Sequence, residues 1–178
     1  MTNGRTKVYA GFWQRTEAFA LDYAIIFFYL IAITLLSLFI NSLFHINEWV
    51  FAGRVRAQVV AFFLITFPVT LYFAINESSA RQATWGKRRL KLKVTDYNGN
   101  RIGFGRALWR IVLKFIPWEL SHTLIWEIYF QTNINENLIH AGFVLVYLLI
   151  GLNLASLVLT KTHQTLYDFL AETHVERA

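Results

Sequence analysis

The chain has 178 residues, of which 56% are hydrophobic, 17% aromatic and only 16% charged. Soluble domains average roughly 45–50% apolar and about 25% charged, so a disordered chain, a coiled coil, a collagen-like fibre and most soluble enzymes are excluded. Cysteine is absent, which excludes a disulfide scaffold, thiolate chemistry and Cys-ligated metals. A single membrane domain covering residues 1–178 remains.

In chain order, residues 23–40 form the first run without a charge, and residues 57–75 the second. Residues 138–160 form a third, in which only His140 is titratable. About 20 apolar residues cross a bilayer core as a helix, and helix satisfies every backbone amide internally. A segment at 111–130 carries Lys114, Glu119, His122 and Glu127 but is apolar elsewhere. The expectation is an all-α membrane protein. It is a four-helix transmembrane bundle with spans at about 19–43, 57–76, 111–130 and 138–160, a loop at 77–110 and a tail at 161–178. The first apolar run is longer than the usual signal-peptide core of about 7–15 residues, and Asn41-Ser42-Leu43 is a poor cleavage site, so a retained helix is expected.

Residues 90–95 alternate apolar and polar, and the turn signal Asn98-Gly99 follows. A short β-hairpin returning through 101–104 is expected. Residues 105–115 then read as an amphipathic helix at the bilayer interface. Arg106, Arg110 and Lys114 at i, i+4, i+8 would meet anionic lipid headgroups. Pro117 would kink the chain where the third span begins.

Ten of the seventeen basic residues lie between the second and third runs, and Arg5, Lys7 and Arg15 precede the first. The positive-inside rule puts both termini and the basic loop in the cytoplasm, and four spans are consistent with that. The net charge of +6 is therefore a topology signal, and nucleic acid is not expected as a partner.

Ionisable groups in a span are costly and usually face a partner or a cavity. Arg15, Asp22, Glu119 and His122, with Asp168 after the fourth span, are expected near one layer at the cytoplasmic side. Glu127 lies about 12 Å deeper along its helix. Three readings stay open. The cluster is an ion-pair network that locks helix packing. It is a cation or proton site, with carboxylates for a hard ion and His122 as relay. Or Glu119-x-x-His122 contributes to a metal site, for which a helical bundle would normally supply more His. His45, His140, His163 and His174 read as peripheral, Trp49, Trp118 and Trp126 as interfacial anchors, and Asn153 and Ser156 as interhelical contacts.

Three stretches resemble the RDD family of small bacterial membrane proteins. Residues 11–22, Gly-Phe-Trp-Gln-Arg-Thr-Glu-Ala-Phe-Ala-Leu-Asp, are similar to its Arg…Asp opening, with Arg15 and Asp22. Residues 84–96, from Thr84-Trp85-Gly86-Lys87-Arg88, resemble its Thr-x-Gly-Lys-Arg stretch. Residues 165–175, with Asp168, Ala171, Thr173 and Val175, resemble its closing motif. Tyr167 stands where the family often has His, Glu172 where Gly is common, and Gln82 where Gly is usual. The resemblance implies a bacterial inner-membrane protein, with monovalent cation/proton antiport proposed for some members.

The first functional expectation is exchange of a cation such as Na⁺ against H⁺. Asp22 and Asp168 would be the competing carboxylates, Arg15 their counter-charge, and Glu119 with His122 the relay. Four spans are few for an enclosed path, so a homo-oligomer is expected. The alternative is a non-transporting scaffold or lipid- and partner-binding module whose Arg/Asp cluster is structural. No enzyme activity, cofactor or resident metal is expected.

Overall fold

A computed structural model describes residues 8–178, so the basic residues Arg5 and Lys7 lie outside the described part. Helix α1 is Phe12–Phe44, followed by the short α2, Ile46–Val50. Helix α3, Arg54–Ala61, passes through a widened π turn at Phe62–Thr66 into α4, Phe67–Ser78. Then come α5 (Trp85–Arg89), β1 (Leu92–Asp96), α6 (Phe104–Tyr129), α7 (Glu136–Leu159), α8 (Leu166–Leu170) and β2 (Thr173–Arg177). Among the described residues, three helices are long and apolar enough to cross a membrane: α1, the continuous Arg54–Ser78 and α7. α6 packs between α4 and α7.

The π turn sits beside Pro68, which has no N–H to donate to the carbonyl of Leu64 four residues earlier. The Tyr29 hydroxyl donates to that carbonyl instead, at 2.5 Å. In hydrocarbon such a substitute is needed, because no water reaches the freed group.

Two local expectations are corrected. Residues 104–129 do not divide into an interfacial helix and a separate span; a single helix runs through Pro117. The hairpin does not form either. The turn does: Asp96 Oδ1 accepts from the N–H groups of Asn98 and Asn100, and Gly99 has φ 87°. However, Gly103 already caps α6, so only the single bridge Thr95–Arg101 fits on the return. β1 instead pairs antiparallel with β2, with Val94 opposite Val175. The N-terminal segment joins the other edge of β2: Ala10 N–H donates to Val175 O at 2.8 Å and Arg177 N–H to Val8 O at 2.9 Å.

The apolar core lies at this sheet end. Leu92, Val94, Ile102 and Val175 pack with Ala18, Phe73, Ala74, Ala107 and Ile111 from the helix ends. Away from it, α1 and α7 present exposed Phe28, Phe39, Leu138 and Tyr147, the surface expected against lipid. His174 is not peripheral: it is buried between the rings of Tyr9 and Tyr97, centroids 4.9 and 4.7 Å away. Ser156 does not bridge helices but donates to Gln164 O in the α7–α8 connection, and Asn153 Nδ2 bonds Leu149 O on its own helix.

Gln82 and Glu172, where the family favours Gly, both have left-handed backbones, φ 53° and 52°. The tight turns are kept without the residue that adopts them freely. A left-handed L-residue costs about 1–2 kcal/mol, against roughly 0.4–1 kcal/mol of unfolded-state entropy that a glycine adds. Glu172→Gly is therefore expected to raise the melting temperature in detergent. The Arg106 contact it loses is 3.8 Å long and exposed, so it offsets little. An unchanged or lower melting temperature would count against this account of the turn.

Candidate functional site

Asp168 is the third residue of α8. Its carboxylate Oδ2 accepts from the N–H of Thr165, and the Thr165 hydroxyl accepts from the Asp168 N–H, a reciprocal cap that fixes the side chain. Oδ2 also takes Arg15 Nη1 at 2.5 Å, and Oδ1 takes Arg110 Nε at 2.8 Å and Nη2 at 2.5 Å. That makes four donors, about the full capacity of a carboxylate. Arg110 Nη1 reaches Glu77 Oε2 at 2.6 Å, and Glu77 also pairs with Lys87. Asp168, Glu77 and Arg110 are all at most 2% exposed. The ring of Tyr167 lies 5.2 Å from the Arg110 guanidinium, so the residue at the family's frequent His position stacks on the network.

Burial alone would raise the Asp168 carboxyl, but the Arg110 and Arg15 guanidiniums outweigh it and hold it well below the usual carboxylate range. Burial pushes the Lys87 ammonium down against the pull of Glu77. Burial, with the Asp168 charge beside it, pushes the Tyr167 phenol up.

Asp22 belongs to a second constellation. Its Oδ1 accepts from the Tyr72 hydroxyl and the Gly86 N–H, both at 2.8 Å, and its Oδ2 from the Thr84 hydroxyl at 2.5 Å. Asp22 is 1% exposed. The loop helix α5 is thus pinned onto α1, and Gly86 sits directly on the Ala18 backbone.

Of the residues expected in one layer, Arg15 and Asp168 pair directly, while Asp22 makes its bonds to α4 and the loop. Glu119 takes the Thr66 hydroxyl from the π turn. His122 Nδ1 lies 3.0 Å from Trp118 O on its own helix, and His122 lines one small cavity together with Glu119. Glu127 pairs with Arg54 at 2.9 Å and takes the Thr132 hydroxyl at 2.5 Å, near the other end of α6. Among the described residues no group of three or more His, Asp or Glu could hold a metal ion.

Arg110 is corrected outright: it is 2% exposed and bound to two carboxylates, so it does not reach headgroups. The i, i+4, i+8 spacing put it on the face of Arg106. The buried positions of α6, which include Ala107, Arg110, Ile111, Pro117 and Leu124, follow an i, i+3, i+4 pattern that places it inward. Arg106 does remain exposed. Lys114 lies over the rings of Phe19 and Phe73, 4.5 and 4.3 Å from their centroids. Tyr72 and Glu77 carry no sequence signal of their own, while Thr84 and Lys87 stand in the Thr-x-Gly-Lys-Arg stretch without an assigned role.

The RDD family model matches residues 9–172, from just before Arg15 to just past Asp168. No curated protein and no solved structure matches the chain. The match covers nearly all of the chain and includes both carboxylates and the arginine they surround, and the chain is a membrane protein belonging to the RDD family.

Proposed function

We propose that this protein is a non-transporting module of the bacterial inner membrane. In this reading it crosses the bilayer four times, and its Arg/Asp network locks a cationic cytoplasmic face that meets anionic headgroups and protein partners. The observation that carries this is the state of the two aspartates. Asp168 accepts four hydrogen bonds, three of them from guanidiniums, and Asp22 accepts three. A cation at Asp168 would have to displace Arg15 or Arg110 and then sit against their charge.

Connectivity supports the four crossings. The N-terminal segment, β1 and β2 share one small sheet, so they lie on one side of the membrane. Two crossings, α1 and Arg54–Ser78, separate the first from β1. Between β1 and β2 an even number is expected again, which favours α6 crossing together with α7. The exposed Arg81, Arg89, Lys91, Arg101 and Arg106 on that side fit the cytoplasmic leaflet by the positive-inside rule.

A second reading, Na⁺/H⁺ exchange at Glu119, is favoured by a polar run along α3, the π turn and α6. Arg54 donates to Gln58 at 2.9 Å, Gln58 to Thr123 at 2.8 Å, and Thr123 to Glu119 O at 2.9 Å, with Thr66 on the carboxylate. Exchange along so few helices would call for a homo-oligomer. The test is purified protein in liposomes with an imposed sodium gradient and an internal pH dye. The module reading expects no proton flux above protein-free vesicles. Sodium-driven flux that disappears in Glu119→Gln, which can still accept from Thr66, would replace it with the exchange reading.

A further inference from the structure

A groove of about 560 Å³ lies between α1, α6, α7 and α8, within the roughly 300–1,000 Å³ range of small-molecule sites. Its two ends differ. Toward the sheet it is bounded by Arg15, Lys114 and Tyr167, and away from the sheet by Trp118, Ile150 and Leu154. Lys114 to Ser121 on one wall and Leu157 to Ile150 on the other each cover seven residues, about 10 Å along a helix. The cations therefore sit at the sheet end, while the far end along the helix axes is mostly apolar, with Ser121 and Asn153 as its uncharged polar side chains.

The charge at the polar end is not balanced. Arg15, Lys87 and Arg110 pair with two carboxylates, Glu77 and Asp168, and Asp22 is a third acid within electrostatic reach of Lys87 and Lys114. Lys114 adds a further cation with no ion-pair or hydrogen-bond partner among the described residues; only the rings of Phe19, Phe73 and Phe115 touch its ammonium. Arg15 uses Nη1 on Asp168 and Nε on Ala10 O, while its buried Nη2 has no partner among the described residues. A charge at this depth without a counter-ion is costly. An anion at this end would balance the excess cation, and a largely apolar group suits the rest of the groove.

We infer that this groove holds one anionic phospholipid of the leaflet on the sheet side, its phosphate on Lys114 and Arg15 and an acyl chain along Trp118, Ile150 and Leu154. The exposed walls make this possible without opening the bundle: Trp118, Ile150 and Leu154 are 41%, 43% and 47% exposed, so the groove is open to the lipid that surrounds the helices. The inference holds whether the protein is a module or an exchanger, since neither Asp22 nor Glu119 lines the groove.

The test is native mass spectrometry of the full chain in a neutral detergent. It is run with dioleoyl phosphatidylglycerol, with dioleoyl phosphatidylcholine, and with inorganic phosphate, and melting temperatures are taken in parallel. One phosphatidylglycerol should be retained per chain in preference to phosphatidylcholine and should raise the melting temperature, while phosphate alone should do neither. Lys114→Gln should weaken retention about tenfold, the size of one charge-assisted hydrogen bond. Leu154→Trp, which fills the apolar end and leaves both cations in place, should abolish it. Arg106→Gln, outside the groove, should change nothing. Equal retention of the two lipids overturns the proposal, as does stabilisation by phosphate alone. So does retention that survives Leu154→Trp but falls with Arg106→Gln, which would put the lipid on the sheet-side surface. A dimer that Leu154→Trp dissociates, with no lipid preference, would assign the groove to a second copy instead. If Lys114→Gln does not fold, Leu154→Trp alone decides, because its side chain makes no part of the ion network.

Discussion

Gly86→Ala is expected to destabilise the protein by at least about 4 kcal/mol, in the range reserved for specific, identifiable defects. A Cβ at this position would lie 2.1 Å from the carbonyl oxygen of Ala18 and 3.0 Å from Asp22 Cγ. The first is hydrogen-bonded backbone in the second turn of α1 and cannot rotate away. The loop helix α5 would have to lift off α1, and Asp22 would then lose the Gly86 N–H and the Thr84 hydroxyl. Each hydrogen bond to a charged group is worth about 1.5–3 kcal/mol, and the carboxylate would keep only Tyr72 while still buried. Two other glycines serve as controls. At Gly142 the added atom meets the methyl groups of Leu124, at 2.7 and 2.8 Å, which can turn aside, so about 1 kcal/mol is expected. At Gly105 nothing lies within 4 Å, and alanine should be neutral or slightly stabilising in a helix. Thermal and chemical unfolding in detergent orders the three variants. A Gly86→Ala protein that melts like Gly105→Ala would mean that the contact between α5 and α1 is not what holds the loop.

That contact marks the boundary of what a linear reading of this chain can give. Apolar length is a local property, so the three uncharged runs sit inside α1, Arg54–Ser78 and α7 as expected. The turn at Asp96–Asn100 is local too, and it forms. The strand it was expected to return to is not local. Its place is taken by residues 173–177, because a helix starting at Phe104 leaves no room for a return, while the tail brings Val175 to Val94. The ion network was missed in part for a related reason. Arg15 and Asp168 carry their own signal as charges beside apolar runs, but their shared partner Arg110 looked like one of many cations in a basic loop. Only its neighbours on the buried face, Ala107 and Ile111, separate it from Arg106. Spacing by four joined Arg106, Arg110 and Lys114, and the fold gives them three different environments: solvent, carboxylates and aromatic rings.

The second large effect follows from Arg110 and Arg15 sharing one acid. Asp168→Asn keeps the size and the reciprocal cap with Thr165 but removes the charge, leaving two guanidiniums and an ammonium against Glu77 alone. Breaking a buried pair from one side typically costs about 3–5 kcal/mol, because the remaining charge stays buried without compensation. The pH dependence separates this from a general loss of packing. The Asp168 carboxyl is held below its usual value in the folded state, so its stabilising contribution is complete above the unfolded pKa of about 3.9. It is lost as pH falls through the lower folded value. The parent should therefore lose stability on acidification below about pH 4, and Asp168→Asn should lack that part of the slope while being less stable at neutral pH. Adding Arg15→Met to Asp168→Asn should cost less than the sum of the two single changes, since the second removes a charge that the first has already orphaned. Full additivity, or an Asp168→Asn variant within about 1 kcal/mol of the parent, is inconsistent with a network that locks the tail to the helices.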